Sequence, residues 1–204
     1  MTTTVLFGGS FDPPHKGHVN AVHSLLGDKS LSAERIVIMP TFISPFKPIG
    51  GSASAEDRLA MCRLAFSEIP QCIISDMEIS AGKVSYTVET LRKLKKIYPH
   101  DRLVLAIGSD LPMTLLRWYC YREIISAADI AVFARKDSDY PKIAEAAEII
   151  RADGGSVITV KTSPLEISST DIREKILNNE DISCYLPDKV VKYIVDKRLY
   201  SDRG

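Results

Sequence analysis

The chain has 204 residues, 45% of them hydrophobic, enough for one sizeable core with an appended piece and short of two full domains. Lys and Arg number 26, Asp and Glu number 26, and the signs are interleaved, so neither a nucleic-acid stripe nor a polybasic membrane segment is present and a small partner is expected. Apolar runs such as Leu103 to Ile107 are too short to span a bilayer, and Met1 to Leu6 reads as a strand without a charged n-region. Cys62, Cys72, Cys120 and Cys184 show neither CxxC spacing nor a disulfide framework, so a cytoplasmic protein with packing cysteines is expected.

Short β-branched runs alternate with amphipathic stretches, the pattern of βαβ units. Strands are predicted at Thr3 to Phe7, Arg35 to Met39, Cys72 to Ser75, Arg102 to Ile107, Asp129 to Ala134 and Ser156 to Val160. Helices are predicted at Gly17 to Leu26, Ala55 to Phe66 (capped by Ser54), Val88 to Tyr98 and Ile143 to Asp153. Thr41 to Ser54, rich in Pro, Gly and Ser, reads as a surface loop, and Thr162 to Ser169 as a polar one. Two helices close the chain, Thr170 to Leu177 and Val190 to Leu199, the last introduced by Pro187. The fold class is α/β: a Rossmann-like, doubly wound parallel sheet of five or six strands over residues 1–160, with residues 161–204 as a small helical C-terminal piece packed on the same domain.

The first strand runs into Gly8 and Gly9, where a sharp turn and close anion approach to the backbone are expected. A helix starting near Gly17 offers free N–H groups and the positive end of its dipole, so a phosphate fits between turn and helix. Pro13 and Pro14 restrict the loop, and His15 and His18, three apart, lie on one side where both can donate to one oxyanion. A glycine pair alone is an ordinary tight turn and a lone helical His an ordinary surface residue. The combination of Gly8, Gly9, Asp12, His15, Gly17 and His18 after a first strand is what points to a phosphate. Zinc is disfavoured, because His23 and His100 have no ligand-like spacing with any Cys.

The run GGSFDPPHKGH resembles the (H/T)xGH motif of the nucleotidyltransferase superfamily, and ISSTDIR at Ile167 to Arg173 resembles its second signature, ISSTxIR. With the SYT of Ser85 to Thr87, the IGSD of Ile107 to Asp110, Trp118 and the FAR of Phe133 to Arg135, nearly the whole chain resembles the bacterial nicotinate-nucleotide adenylyltransferases. The resemblance implies transfer of AMP from ATP to nicotinate mononucleotide in NAD biosynthesis, with His15, His18, Lys47 and Arg173 in catalytic roles. It implies ATP contacts from Gly8, Gly9, Ser10, Phe11, Asp12, Gly17, Gly108, Asp110, Ile167, Ser168, Ser169 and Thr170. Ser85, Tyr86, Thr87, Trp118 and Arg135 are implied at the acceptor, with Trp118 stacked on the nicotinate ring. Phe46 stands where that family has histidine, so one donor is missing beside Lys47.

The second signature also makes sense physically. Ser168 is a good N-cap that Asp171 answers, the hydroxyls of Ser169 and Thr170 are expected to face outward, and Arg173 one turn later can grip a phosphate with two parallel bonds. No paired carboxylates or Ser-His-Asp order suggest a base or covalent intermediate. Mg²⁺ is expected as a cofactor carried by ATP, with no protein metal site, and homo-oligomerisation is left open. The rivals are a phosphopantetheine-type adenylyltransferase, a cytidylyltransferase, or a binding module without turnover.

Overall fold

All six strands expected from the apolar runs form, and every pairing between them is parallel. The computed structural model describes residues 2–45, 53–110, 112–134, 136–163 and 165–201. In chain order the elements are β1 (Thr3–Gly9), α1 (Lys16–Gly27), β2 (Ala33–Pro40), α2 (Ala55–Ala65), β3 (Cys72–Ile74), α3 (Met77–Ala81), α4 (Thr87–Ile97) and β4 (Arg102–Gly108). Then follow α5 (Pro112–Leu115), α6 (Tyr121–Ala127), β5 (Asp129–Phe133), α7 (Tyr140–Ala152), β6 (Val157–Val160), α8 (Ser169–Leu177) and α9 (Asp188–Lys197). The strands lie in the order 3-2-1-4-5-6, so the direction of winding reverses between β1 and β4. Three helices, α3, α5 and α6, are absent from the sequence expectation, because runs of five, four and seven residues are too short to display a 3.6-residue period.

Alternation along the strands builds two cores. Leu6, Val37, Leu105 and Val132 point to one face, where Val88, Leu91 and Leu94 of α4, Ile124 of α6, and Ile143 and Ile150 of α7 cover them. Val5, Ile38, Val104 and Ala131 point to the other, against Ala21, Val22 and Leu25 of α1 and Cys62 of α2. Each such buried aliphatic side chain contributes about 1.5–3 kcal/mol. Helix α2 is apolar on two sides. Cys62 faces the sheet, whereas Met61 faces a third cluster with Ile172 of α8, Leu186, and Val190 and Ile194 of α9. That cluster seats the C-terminal helices on α2. At the amino ends of the strands Arg35 pairs with Asp101 at 2.7 Å, and the carboxyl edge is left for chemistry.

Of the cysteines, Cys62 is buried and Cys72 and Cys120 are partly buried beside the two cores, as packing residues should be. Cys184 is exposed, contrary to that expectation, because it lies in the polar segment between α8 and α9.

Gly155, at the entry to β6, has no room for a side chain: a Cβ there would lie 2.7 Å from Ile150 Cγ2 and 3.0 Å from Ile125 Cβ. We expect Gly155→Ala to destabilise the fold by about 1–3 kcal/mol through overpacking, read as a lowered urea midpoint with unchanged far-UV dichroism. An unshifted midpoint would show that α6 and α7 yield at this point.

Candidate active site

The carboxyl edge at the β1/β4 reversal is where an open parallel sheet forms its crevice. β1 does not end at Phe7: Gly8 and Gly9 continue the ladder opposite Met39 and Pro40, so the expected glycine turn is instead the last step of the strand. The turn falls at Phe11, whose φ of 49° is left-handed. Phe11, expected among the nucleotide contacts, buries its ring edge-on to Phe7 at 5.5 Å and to Phe66 at 6.2 Å. A Cβ on Gly9 would sit 3.3 Å from that ring, so Gly9 is small to admit Phe11.

α1 begins one residue earlier than expected, with buried His15 at its N-cap. His15 and His18 come together as the spacing requires, their rings stacked at 3.7 Å and 28°. The backbone N–H of His15 donates to His18 Nδ1 at 3.2 Å. With a lone pair needed on Nδ1, the His18 ring carries its proton on Nε2, the far side of the ring. Gly17 makes this stack feasible, because a Cβ there would lie 2.9 Å from His15 Nδ1.

The second signature joins the first directly. Ser168 caps α8 by accepting from Asp171 N–H at 3.1 Å, as expected. The hydroxyl of Ser169, expected to face outward, donates to the Pro13 carbonyl at 2.9 Å. Arg173 Nη1 donates to the Asp12 carbonyl at 2.7 Å, and Nη2 to the Thr170 hydroxyl at 3.3 Å. Ile167 packs against the α2–α9 cluster. The Asp12 carboxylate, expected at the nucleotide, turns inward: its Oδ1 accepts from Ala53 N–H at 3.1 Å and from the Tyr200 hydroxyl at 2.7 Å. Burial, with the Asp12 charge beside it, pushes the Tyr200 phenol up, so it keeps its proton and donates.

Two more groups frame the edge. Gly108 ends β4 opposite Phe133, and exposed Asp110 lies on the rim of a cleft of about 340 Å³ with Ser109, Met113, Lys136 and Lys142. Asp139 ties that cleft together, accepting from the Ser109 hydroxyl at 2.5 Å and Lys136 N–H at 3.2 Å. On the other side Tyr86 occupies the N-cap of α4 with no side-chain cap, and Thr87 is the first helical residue. Ser85 does not cap that helix. Its hydroxyl accepts from Phe42 N–H at 3.2 Å and fastens the loop after β2. Trp118 is partly buried against the core, and the neighbouring Tyr119 ring lies 5.1 Å from that of Tyr86, beside the α4 terminus. Beneath them burial pushes the Glu78 carboxyl up, against hydrogen bonds from Thr90 and Ser85 and the charge of Lys93. Phe46, Lys47 and Arg135 lie outside the described residues. Among the described residues no group of three or more His, Cys, Asp or Glu could hold a metal ion, and no helix is long and apolar enough to cross a membrane.

A cytidylyltransferase-like family model matches residues 6–175, the span that carries both signatures. A protein of Hydrogenobaculum sp. named "Probable nicotinate-nucleotide adenylyltransferase" is 33% identical over 195 residues, 96% of each chain. One of the same name from Methylacidiphilum infernorum is 35% identical, over 96% of this chain and 90% of its own. The chain belongs to the nicotinate-nucleotide adenylyltransferase family. The fold agrees with a solved nicotinic acid mononucleotide adenylyltransferase of Plasmodium falciparum complexed with NaAD, at a TM-score of 0.77, 19% identity and 98% coverage of both chains.

Three residues at this edge escape motif reading. Arg58 is buried, donating to the carbonyls of Ser10 at 2.7 Å and Phe42 at 3.1 Å. Its signal is a charge at position 58 on the buried stripe of Met61, Cys62 and Ala65. Asp139 leaves only a helix-cap signal. Tyr200 leaves none, since its partner is 188 residues away.

Because a Cβ at position 17 meets the His15 ring, we expect Gly17→Ala to displace the stack and lower adenylyl transfer about 10- to 100-fold with only a small change in Tm. Parallel rate and calorimetric measurements check it. Wild-type turnover in the variant would show that the stacked geometry is dispensable.

Proposed function

We propose that this chain transfers AMP from ATP to nicotinate mononucleotide, forming nicotinate adenine dinucleotide and pyrophosphate. The observation that carries the reading is the direct joining of the two signatures, Ser169 to Pro13 and Arg173 to Asp12, at the sheet's reversal point. This brings the N-termini of α1 and α8, His18 and Arg173 to one edge, a set of donors suited to a polyphosphate and to little else.

The acceptor's phosphate oxygen attacks the α-phosphorus of ATP. That bond forms as the bond to the bridging oxygen of the β-phosphate breaks, and pyrophosphate departs. A phosphate monoester has a second pKa of about 6, so it is already an adequate nucleophile and needs no base. Catalysis is then alignment and charge stabilisation. His18, protonated on Nε2, donates to the developing charge, and the α1 terminus cradles the phosphates beside it. Arg173 and the α8 terminus hold the outer phosphates, with Asp110 at the nucleotide cleft. Mg²⁺ would ride on the triphosphate oxygens. Lys47 completes the cationic set in this reading. A cytoplasmic location goes with it.

At the acceptor end, the uncapped start of α4 at Tyr86 and Thr87 presents N–H groups and a positive dipole, which favour a carboxylate over a neutral amide. Trp118 backs the ring. We expect pyrophosphate release to favour nicotinate mononucleotide over nicotinamide mononucleotide by at least about 10-fold in kcat/KM, with phosphopantetheine inert. Equal use of the two mononucleotides would remove the selectivity and keep the transferase, whereas preference for phosphopantetheine would overturn the function. We further expect His18→Ala to cut kcat about 100-fold while ATP binding changes little, as for a donor acting in the transition state. A variant with near-normal kcat would take His18 out of the chemistry.

A further inference from the structure

After α9 the chain takes an unusual course. Arg198 caps the helix at a φ of 51°, and two residues later Tyr200 again adopts a left-handed φ, of 65°. Neither is glycine, so the backbone is strained twice within three residues. What the strain achieves is visible at the side chain: Tyr200 turns back into the molecule and gives its hydroxyl to Asp12 Oδ1 at 2.7 Å. Leu199 and Tyr200 both pack against the cluster built on α2, α8 and α9, and Tyr193 one turn before the helix end bonds Asp57 of α2 at 2.9 Å. The segment is therefore anchored, and the hydroxyl arrives at Asp12 from a fixed direction.

Asp12 has a competing choice. Its Oδ2 lies 3.9 Å from Arg173 Nη1, and a carboxylate and a guanidinium at that separation ordinarily close to a pair of parallel hydrogen bonds. Here they do not. Among the described residues the two donors to the carboxylate, Tyr200 O–H and Ala53 N–H, act on Oδ1, on the opposite oxygen from Arg173. Arg173 Nη1 hydrogen-bonds the Asp12 backbone carbonyl instead, a neutral partner, and meets the carboxylate only as a loose ion pair at 3.9 Å. Its side chain stays 28% exposed while that of Asp12 is only 10% exposed, so the cation reaches solvent and the anion is largely shielded from it.

We infer that Tyr200 is a positioning residue for the phosphate site: by holding the Asp12 carboxylate away from Arg173, it keeps that guanidinium available to the outer phosphates of the nucleotide. This rests on the adenylyltransferase reading only in naming the nucleotide; the anion it concerns is a polyphosphate. Removing the hydroxyl lets Asp12 rotate onto Arg173, and the phosphate must then compete with an internal carboxylate.

The test is calorimetric titration of the full chain with inorganic tripolyphosphate and with MgATP, for the parent, Tyr200→Phe, Asp12→Asn and the double variant. Tyr200→Phe should weaken both ligands at least 5-fold while leaving KM for nicotinate mononucleotide unchanged. In the Asp12→Asn background, where no carboxylate can capture Arg173, the same Tyr200→Phe change should weaken binding less than 2-fold. A purely packing role for Tyr200 would not depend on the charge at position 12. Equal weakening in both backgrounds, or none in either, overturns the inference. So does a parent protein with no affinity for tripolyphosphate. A parent that binds tripolyphosphate with the expected dependence on Tyr200 yet transfers nothing would uphold the inference and sink the proposed reaction alone.

Discussion

Two hydrogen bonds to backbone carbonyls, from Ser169 to Pro13 and from Arg173 to Asp12, hold together segments that lie 156 and 161 residues apart. The rest of the site depends on them. The loop from Ser10 to Pro14 has no ladder of its own beyond Gly9, and its shape comes from what grips its carbonyls: Arg58 on Ser10, Arg173 on Asp12 and Ser169 on Pro13. Side chains that are charged or polar thus serve as the missing strand partners of a segment that has left the sheet ladder. His15 follows at once, and its position at the head of α1 inherits the rigidity of that loop.

Much of the architecture was written in periodicity. Runs such as Leu103 to Ile107 and Asp129 to Ala134 are long enough, and apolar enough on both faces, to force central parallel strands, and the six strands found are the six expected. The motif histidines could be paired from spacing alone, since three residues on a helix leave little choice. What sequence could not convey was direction. Whether Ser169 and Asp12 face solvent or one another depends on how α8 docks, and docking is decided by Ile172, Met61 and Val190 in a cluster assembled from distant stretches. The glycine pair shows the same limit in miniature: Gly8 and Gly9 read as a turn by composition, yet the ladder to β2 claims both, and Phe11 takes the turn.

Charge is used sparingly and unevenly in this molecule. Surface pairs such as Lys83 with Glu89 and Arg151 with Glu148 are exposed and screened by water, so they contribute little. Arg58 and Asp12, by contrast, are buried and satisfied mainly by backbone groups and a phenol. Placing charges inside is costly, and they are tolerated here because hydrogen bonds satisfy them: two backbone carbonyls for Arg58, a backbone N–H and a phenol for Asp12. The cost falls around the crevice, where a fixed electrostatic field is most useful to a reaction between two phosphate-bearing molecules.

The far ends of the described chain meet at residue 12, and this sets an order on biosynthesis. A ribosome delivers the sheet early: β1 through β6 are complete once Val160 has emerged, and domains begin to form as they are made. Ser169, Arg173 and Tyr200 follow β6, so a nascent chain passes through a period with a finished sheet and an unbraced loop after β1. The brace on the loop after β1 is thereby added only after the sheet it sits on is complete.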